Sequence, residues 1–300
     1  VSAVASCAWS STRRAASPGF SIGKRWLPSI HCSRSPTSRR VAASPAWPVV
    51  RPVLYRLLDY GRARRMADQI APMPGRQAME AVSALLDLKV EARNLERAPE
   101  QGRAILIANH PTGIADGVAV YDALKGRRPD LCFYANADAH RVSPGFGEVL
   151  IPVEWREDKR TRDRTRLTLQ LTREAMEAER ALVIFPAGRL ARQGPDGRLR
   201  EEPWMASALS IARKYEAPVI PIHVTGPWST LFHLFHRVSN ELRDITLFHE
   251  LLNKRGGSFR LQFGPPIPPD RFDPDSSVAT DALKAYVEHV LPHHPDRSFE

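Results

Sequence analysis

Acidic residues are missing from the first 58 positions of this 300-residue chain, which nevertheless carry nine arginines and lysines. Set those nine aside and 34 basic side chains face all 33 acidic ones, so the remaining body is nearly neutral despite a formal net charge of +10. A neutral body without an evident basic face argues against a nucleic-acid partner. Cysteine is scarce: Cys7, Cys32 and Cys132 are the three in the chain. They support neither a disulfide framework nor a cysteine-based metal site, and no metal is expected. No apolar run reaches the roughly 18–20 residues of a spanning helix. No secretory apolar core is present, and the lack of a Gly-x-Ser-x-Gly elbow argues against a serine hydrolase.

Residues 1–45 are rich in Ser, Ala, Arg and Pro and lack apolar periodicity. Such a segment is expected to be a disordered leader. It reads as translated sequence upstream of the true start, with an organellar transit peptide or a genuine tail as alternatives. Residues 46–300 read as a single α/β domain that opens with an amphipathic helical region. There Val50, Val53, Leu54 and Leu57 share one helical face beside Arg62, Arg64 and Arg65. Such a helix suits an anionic membrane surface or packs on the domain. Pro72 and Pro74 end it, and a second helix is predicted over 76–88.

The body then alternates strands and helices. Strands are predicted at 103–108, 131–135, 149–153, 181–185, 218–224 and 258–263. Helices are predicted at 115–126, 163–179, 204–216 and 277–290. This rhythm predicts an α/β fold with a mainly parallel central sheet flanked by helices. Pro221 argues against a central ladder position for its strand, or marks a bulge.

In such sheets, ligands bind where strands end. The buried run Ala104–Ala108 leads into Asn109-His110-Pro111-Thr112-Gly113-Ile114-Ala115-Asp116. A carboxylate facing an imidazole holds it neutral and in one tautomer, ready to take a proton. The alternative is a capping aspartate and a loop histidine. The run Ala181–Phe185 leads into Pro186-Ala187-Gly188-Arg189, with Arg192 close behind. Gly188 admits a close backbone approach, and a guanidinium fork suits phosphate or carboxylate. His223 reads as a structural histidine. The mixed charges from Glu157 to Arg166 read as a solvated face, or as a receiver for a phosphorylated cofactor.

Taken together, these segments resemble the glycerolipid and lysophospholipid acyltransferase superfamily. Asn109-His110 with Asp116 resembles its first block. Pro144 to Trp155 resembles its second, Phe185-Pro186-Ala187-Gly188-Arg189 its third, and Val219-Ile220-Pro221 its fourth. Five residues separate His110 from Asp116 where the usual block has four. That longer form, with Pro after His and Gly after Asp, resembles the branch of ornithine-lipid and haemolysin-like acyltransferases. Ala187 stands where glycerol-3-phosphate and lysophosphatidate enzymes carry Glu, which counts against a glycerol-phosphate acceptor.

The resemblance implies acyl transfer to a hydroxyl of a lyso-lipid, with His110 as base and Asp116 as its partner. Thr112, Gly113, Gly188, Arg189 and Arg192 are the expected substrate-binding positions. N–H groups near Gly113 or Gly188 are the expected oxyanion donors. The donor is expected to be acyl-CoA or acyl carrier protein, with no permanently bound cofactor. Attachment is expected to be peripheral, at the cytoplasmic face of a membrane, through 47–65 and the aromatic stretch 228–238. A non-catalytic lipid-binding protein of the same fold is the alternative.

Overall fold

The structure is a computed structural model that describes residues 52, 56, 58–154, 160–188, 191–193, 199–227 and 249–300. Its strands are β1 (Lys89–Arg93), β2 (Ala104–Ala108), β3 (Cys132–Asn136), β4 (Leu150–Val153), β5 (Ala181–Ile184), β6 (Arg192–Gln193), β7 (Leu199–Arg200), β8 (Val219–Thr225) and β9 (Ser258–Phe263). The main helices are α1 (Tyr60–Ile70), α2 (Gly75–Leu86), α3 (Ile114–Leu124), α4 (Arg162–Glu177), α5 (Ser207–Lys214) and α6 (Ser276–Ala285). A single wider turn, Tyr286–Val290, continues α6.

Seven strands form one sheet in the order β1-β9-β8-β2-β5-β3-β4. Every neighbouring pair is parallel except β8–β9. The α/β architecture with a mainly parallel sheet is therefore present. β2 and β5 are buried along their whole length. That is why they read as unbroken apolar runs: helices cover both faces. Ile105 and Ile107 face one layer, with Leu209 and Ala212 of α5 and Leu283 of α6. Leu106 faces the other, with Val82 and Leu86 of α2 and Val118 and Ala119 of α3.

Two elements lie outside the predicted set. β1 is an edge strand with Lys89, Glu91 and Arg93 exposed, so its two apolar residues, Val90 and Ala92, leave too weak a pattern. β6 and β7 form a hairpin of two residues a side, too short to leave any period. The predicted helix over 47–71 is described only from its later part, as α1, and 228–238 lies outside the described residues. Among the described residues, no helix is long and apolar enough to cross a membrane.

Pro221 is the clearest departure. It sits in an internal strand, opposite Ile107 of β2. Its carbonyl accepts from Gly264 N at 2.8 Å, on the β9 side, and the antiparallel ladder with β9 starts only at Ile222. A strand residue turns its N–H and C=O the same way, so the missing donor falls at the last rung.

The strand that skips a neighbour creates the site. From β2 the chain crosses over β5 to reach β3 and β4, returns to β5, and then passes to β8 on the far side of β2. The C-terminal ends of β2, β5 and β8 thus lie side by side, at the kind of crossover point where open sheets bind ligands. At the opposite end of the sheet, α2 begins against the turn Pro144–Glu148. A Cβ on Gly145 would lie 2.2 Å from the Met73 carbonyl oxygen, so only glycine fits this contact.

Candidate functional site

The last residue of β2 is followed by Asn109, a buried amide that locks two strands together. Its Nδ2 donates to Val224 O at 3.0 Å, and its Oδ1 accepts from Val224 N at 2.6 Å. β2 and β8 therefore end in fixed relation, and His110 leaves the sheet from an anchored point.

The turn that follows is built around Asp116, whose side chain is fully buried. Its Oδ2 accepts from Thr112 N at 2.9 Å and from Gly113 N at 3.0 Å. Oδ1 accepts from the Thr112 hydroxyl. Gly113 has φ +106° and ψ −148°, a conformation that only glycine adopts readily. This glycine turn absorbs the fifth intervening residue and returns Asp116 to the histidine. His110 Nδ1 lies 3.0 Å from Asp116 Oδ2, and the imidazole remains partly exposed.

The protonation pattern follows from the partners. Two backbone N–H groups and a hydroxyl donate to the Asp116 carboxylate, so Nδ1 meets it as a further donor, and in the neutral ring the lone pair lies on Nε2. The tautomer is assigned from this network. The Phe185 ring packs against the imidazole, with centroids 4.5 Å apart and planes at 30°. The His110 peptide is also held on both sides. Its N–H donates to Glu201 Oε1, and its carbonyl accepts from Ala191 N at 3.2 Å. Among the described residues, Nε2 is the polar atom of His110 without a hydrogen-bond partner.

The other predicted positions sort differently. Thr112 and Gly113 lie at the site, but their N–H groups and the Thr112 hydroxyl serve Asp116. Gly188 N donates to Phe185 O at 3.0 Å and closes a turn at φ +62°. The N–H groups of Gly113 and Gly188 themselves are thus engaged within the protein. Arg192 opens β6, directly after Ala191. Arg189 lies outside the described residues. His223 Nδ1 donates to Val287 O at 2.9 Å, a tie between β8 and the C-terminal helix. Among the described residues, no group of three His, Cys, Asp or Glu gathers to hold a metal.

Glu201 is the residue that sequence reasoning missed. It follows β7, is partly buried, and takes Trp204 Nε1 at 2.7 Å on its second oxygen. Burial pushes its carboxyl up to about 7, against the opposing pull of the Trp204 and His110 N–H bonds. Nothing local in Arg200-Glu201-Glu202 distinguishes one acid from the next. Only the fold brings residue 201 to residue 110.

A profile of the acyltransferase family matches residues 89–225. That span runs from the first residue of β1 to the last of β8 and includes every site segment described above. Two proteins described as lyso-glycine lipid O-acyltransferases are similar to the chain. The one from Phocaeicola vulgatus is 27% identical over 207 residues, covering 67% of this chain and 72% of that protein. The one from Bacteroides thetaiotaomicron is 26% identical over 219 residues, covering 71% and 78%. A crystal structure of the 1-acyl-sn-glycerophosphate (LPA) acyltransferase PlsC from Thermotoga maritima aligns with a TM-score of 0.44 at 16% identity, over 92% of this chain and 99% of that one.

Proposed function

Because residues 89–225 match the acyltransferase profile and two lyso-glycine lipid O-acyltransferases are similar to the chain, we propose that the protein is an O-acyltransferase with a lipid acceptor, with His110 the general base of the transfer and Asp116 its partner. The observation that carries this reading is the arrangement around His110. Nδ1 meets a buried carboxylate at 3.0 Å, and both polar groups of the peptide are engaged. Nε2 is left for the reactants.

Nε2 takes the proton from the acceptor hydroxyl as its oxygen attacks the thioester carbonyl carbon. The new C–O bond gives a tetrahedral oxyanion. Its collapse breaks the C–S bond, and the leaving thiolate takes the proton back from the imidazolium. Asp116 holds the ring in this tautomer and stabilises the imidazolium while it exists. The positive N-terminal end of α3, which begins four residues after His110, favours negative charge at this place. The donor in this reading is an acyl-CoA or an acylated carrier protein.

For the acceptor we propose a lyso-lipid with an amino-acid headgroup, of the kind named for the two similar proteins. Ala187, in place of the glutamate of glycerol-phosphate enzymes, supports the same choice. An amino-acid carboxylate suits an arginine fork as well as a phosphate does. Arg189 and Arg192 are the proposed anchors, on their sequence positions. Peripheral attachment to an anionic membrane, at its cytoplasmic face, completes the proposal. Arg51, Arg56, Arg62, Arg64 and Arg65, within 47–65, supply the charge for it.

The test is turnover with acyl-CoA and with acylated carrier protein against lyso-glycine lipid, lyso-ornithine lipid and lysophosphatidate. His110→Ala should fold and lose about 10²–10⁴-fold in kcat. Near-normal turnover in the folded variant would reject the base assignment. Preference for lysophosphatidate would reject the acceptor while leaving the base in place.

A further inference from the structure

Asp116 fixes the direction of the His110 ring, yet it does not fix where the residue itself sits. That depends on the His110 main chain, which departs from the sheet at Asn109 and is held at both its N–H and its carbonyl. Its carbonyl accepts from Ala191 N, just before β6, and its N–H donates to Glu201, just after β7. The hairpin β6–β7 therefore brackets the peptide with its two ends. Lys284 of α6 secures the far end, donating from Nζ to the carbonyls of Glu201 at 3.1 Å and Glu202 at 3.2 Å.

We propose that Glu201 is a positioning residue, a second carboxylate that holds His110 in its working place through the main chain. The inference rests on His110 as the base. Three features carry it. First, both oxygens of Glu201 accept from N–H groups, the His110 main chain on Oε1 and the Trp204 indole on Oε2. A carboxylate offers two acceptors; a glutamine would offer one acceptor and one donor, and would set its amide N–H against one of these N–H groups. Second, both donors are neutral, so the carboxylate is removed from water without a cation on either bond. Such a group is a costly way to fill space. The raised carboxyl of Glu201 agrees with this cost. Third, the contact joins residues 91 positions apart at the one histidine that faces the reactants. A bond between a charged acceptor and a neutral donor is also stronger than its neutral counterpart, which suits a part that must not drift. Small displacements at a reacting group cost rate more than affinity.

The test compares Glu201→Gln, Glu201→Asp and Trp204→Phe with the wild type. Each is measured for kcat, for KM of donor and acceptor, and for melting temperature, with His110→Ala as reference. At pH 8, where the Glu201 carboxyl is ionised, Glu201→Gln should lower kcat about 10–100-fold and leave both KM values within about twofold. Glu201→Asp, too short to reach both donors, should not rescue it. Trp204→Phe frees one oxygen and spares the bond to His110, so its kcat should fall less than about threefold. Wild-type kcat in Glu201→Gln overturns the proposal. So does an equal loss in Glu201→Gln and Trp204→Phe, which would mark packing as the cause. Should Glu201→Gln fail to fold, wild-type kcat in Glu201→Asp overturns it instead. A dead His110→Ala beside a normal Glu201→Gln would sink the positioning role alone. An active His110→Ala would sink the base assignment beneath it.

Discussion

Asp116 accepts from four donors: Thr112 N, the Thr112 hydroxyl, Gly113 N and His110 Nδ1. An asparagine of the same shape would turn an N–H₂ group toward some of them. Asp116→Asn should therefore cost about 2–4 kcal/mol of stability, by leaving buried donors unpaired. It should also lower kcat by about 10²–10⁴-fold, through loss of the His110 tautomer. Denaturant melts and turnover on the same preparation check both effects, and an intact kcat would count against the pairing. Glu201 gives a prediction of opposite character. Its carboxyl is raised from 4.5 to about 7 in the folded protein. The folded state therefore holds a proton that the unfolded chain releases. The associated stability is full below about 4.5 and is lost as pH rises through about 7. Glutamine does not titrate. Between pH 5 and pH 8 the unfolding free energy of Glu201→Gln should gain about 2–3 kcal/mol on the wild type. A gap that stays constant with pH would contradict the buried, raised carboxyl.

Among the elements, β2 and β8 are tied together at their ends. Asn109 satisfies both polar groups of Val224 from a buried position. Asn109→Ala would leave that N–H and C=O unpaired, and should destabilise the protein by about 2–4 kcal/mol. Because His110 follows directly, the loss should appear in kcat as well as in melting temperature. The approach of α2 to the Pro144–Glu148 turn offers a contrast away from the reacting groups. Gly145→Ala sets a methyl 2.2 Å from the Met73 carbonyl. It should cost about 2–4 kcal/mol, while the kcat of the folded fraction stays near wild type. A neutral melting temperature would mean that the two segments separate more easily than their contact implies.

The molecule as a whole keeps a polar knot at each end of its sheet. At the N-terminal end of the strands, the buried Arg128 donates to Asp130 and to the carbonyls of Pro99, Gly102 and Glu179. All of its chemistry is spent inside the protein. At the C-terminal end, the knot around His110 leaves Nε2 unspent among the described residues. The difference between an inward-satisfied cluster and one with a group to spare separates a structural device from a candidate site. At the same scale, charge asymmetry sets the membrane prediction. Within 47–65, five arginines (Arg51, Arg56, Arg62, Arg64 and Arg65) stand against one acid, Asp59. The full chain should bind anionic vesicles at low salt and be released at about 1 M salt, where the screening length falls to about 3 Å. Co-sedimentation with neutral and anionic vesicles would measure this. Equal binding to both would remove the electrostatic attachment.

The fold class was legible because burial on both faces writes itself into β2 and β5 as unbroken apolar runs, and the helices α3, α4 and α5 alternate with strands along the chain. The pair His110 and Asp116 was legible for a similar reason. Both lie in one short turn, where spacing alone brings them near each other. Tertiary structure decided the rest. The edge strand β1 pairs with β9 some 170 residues away in the chain, through a ladder that leaves little trace in composition. Pro221 entered an internal strand because the ladder beside its nitrogen ends there. Thr112 and Gly113 became supports for Asp116 because a φ of +106° turns both N–H groups inward. Glu201 reached His110 only because the hairpin folds across the end of β2. Local pattern records what neighbours in sequence must do, whereas a hydrogen bond between positions 110 and 201 depends on every strand that lies between them.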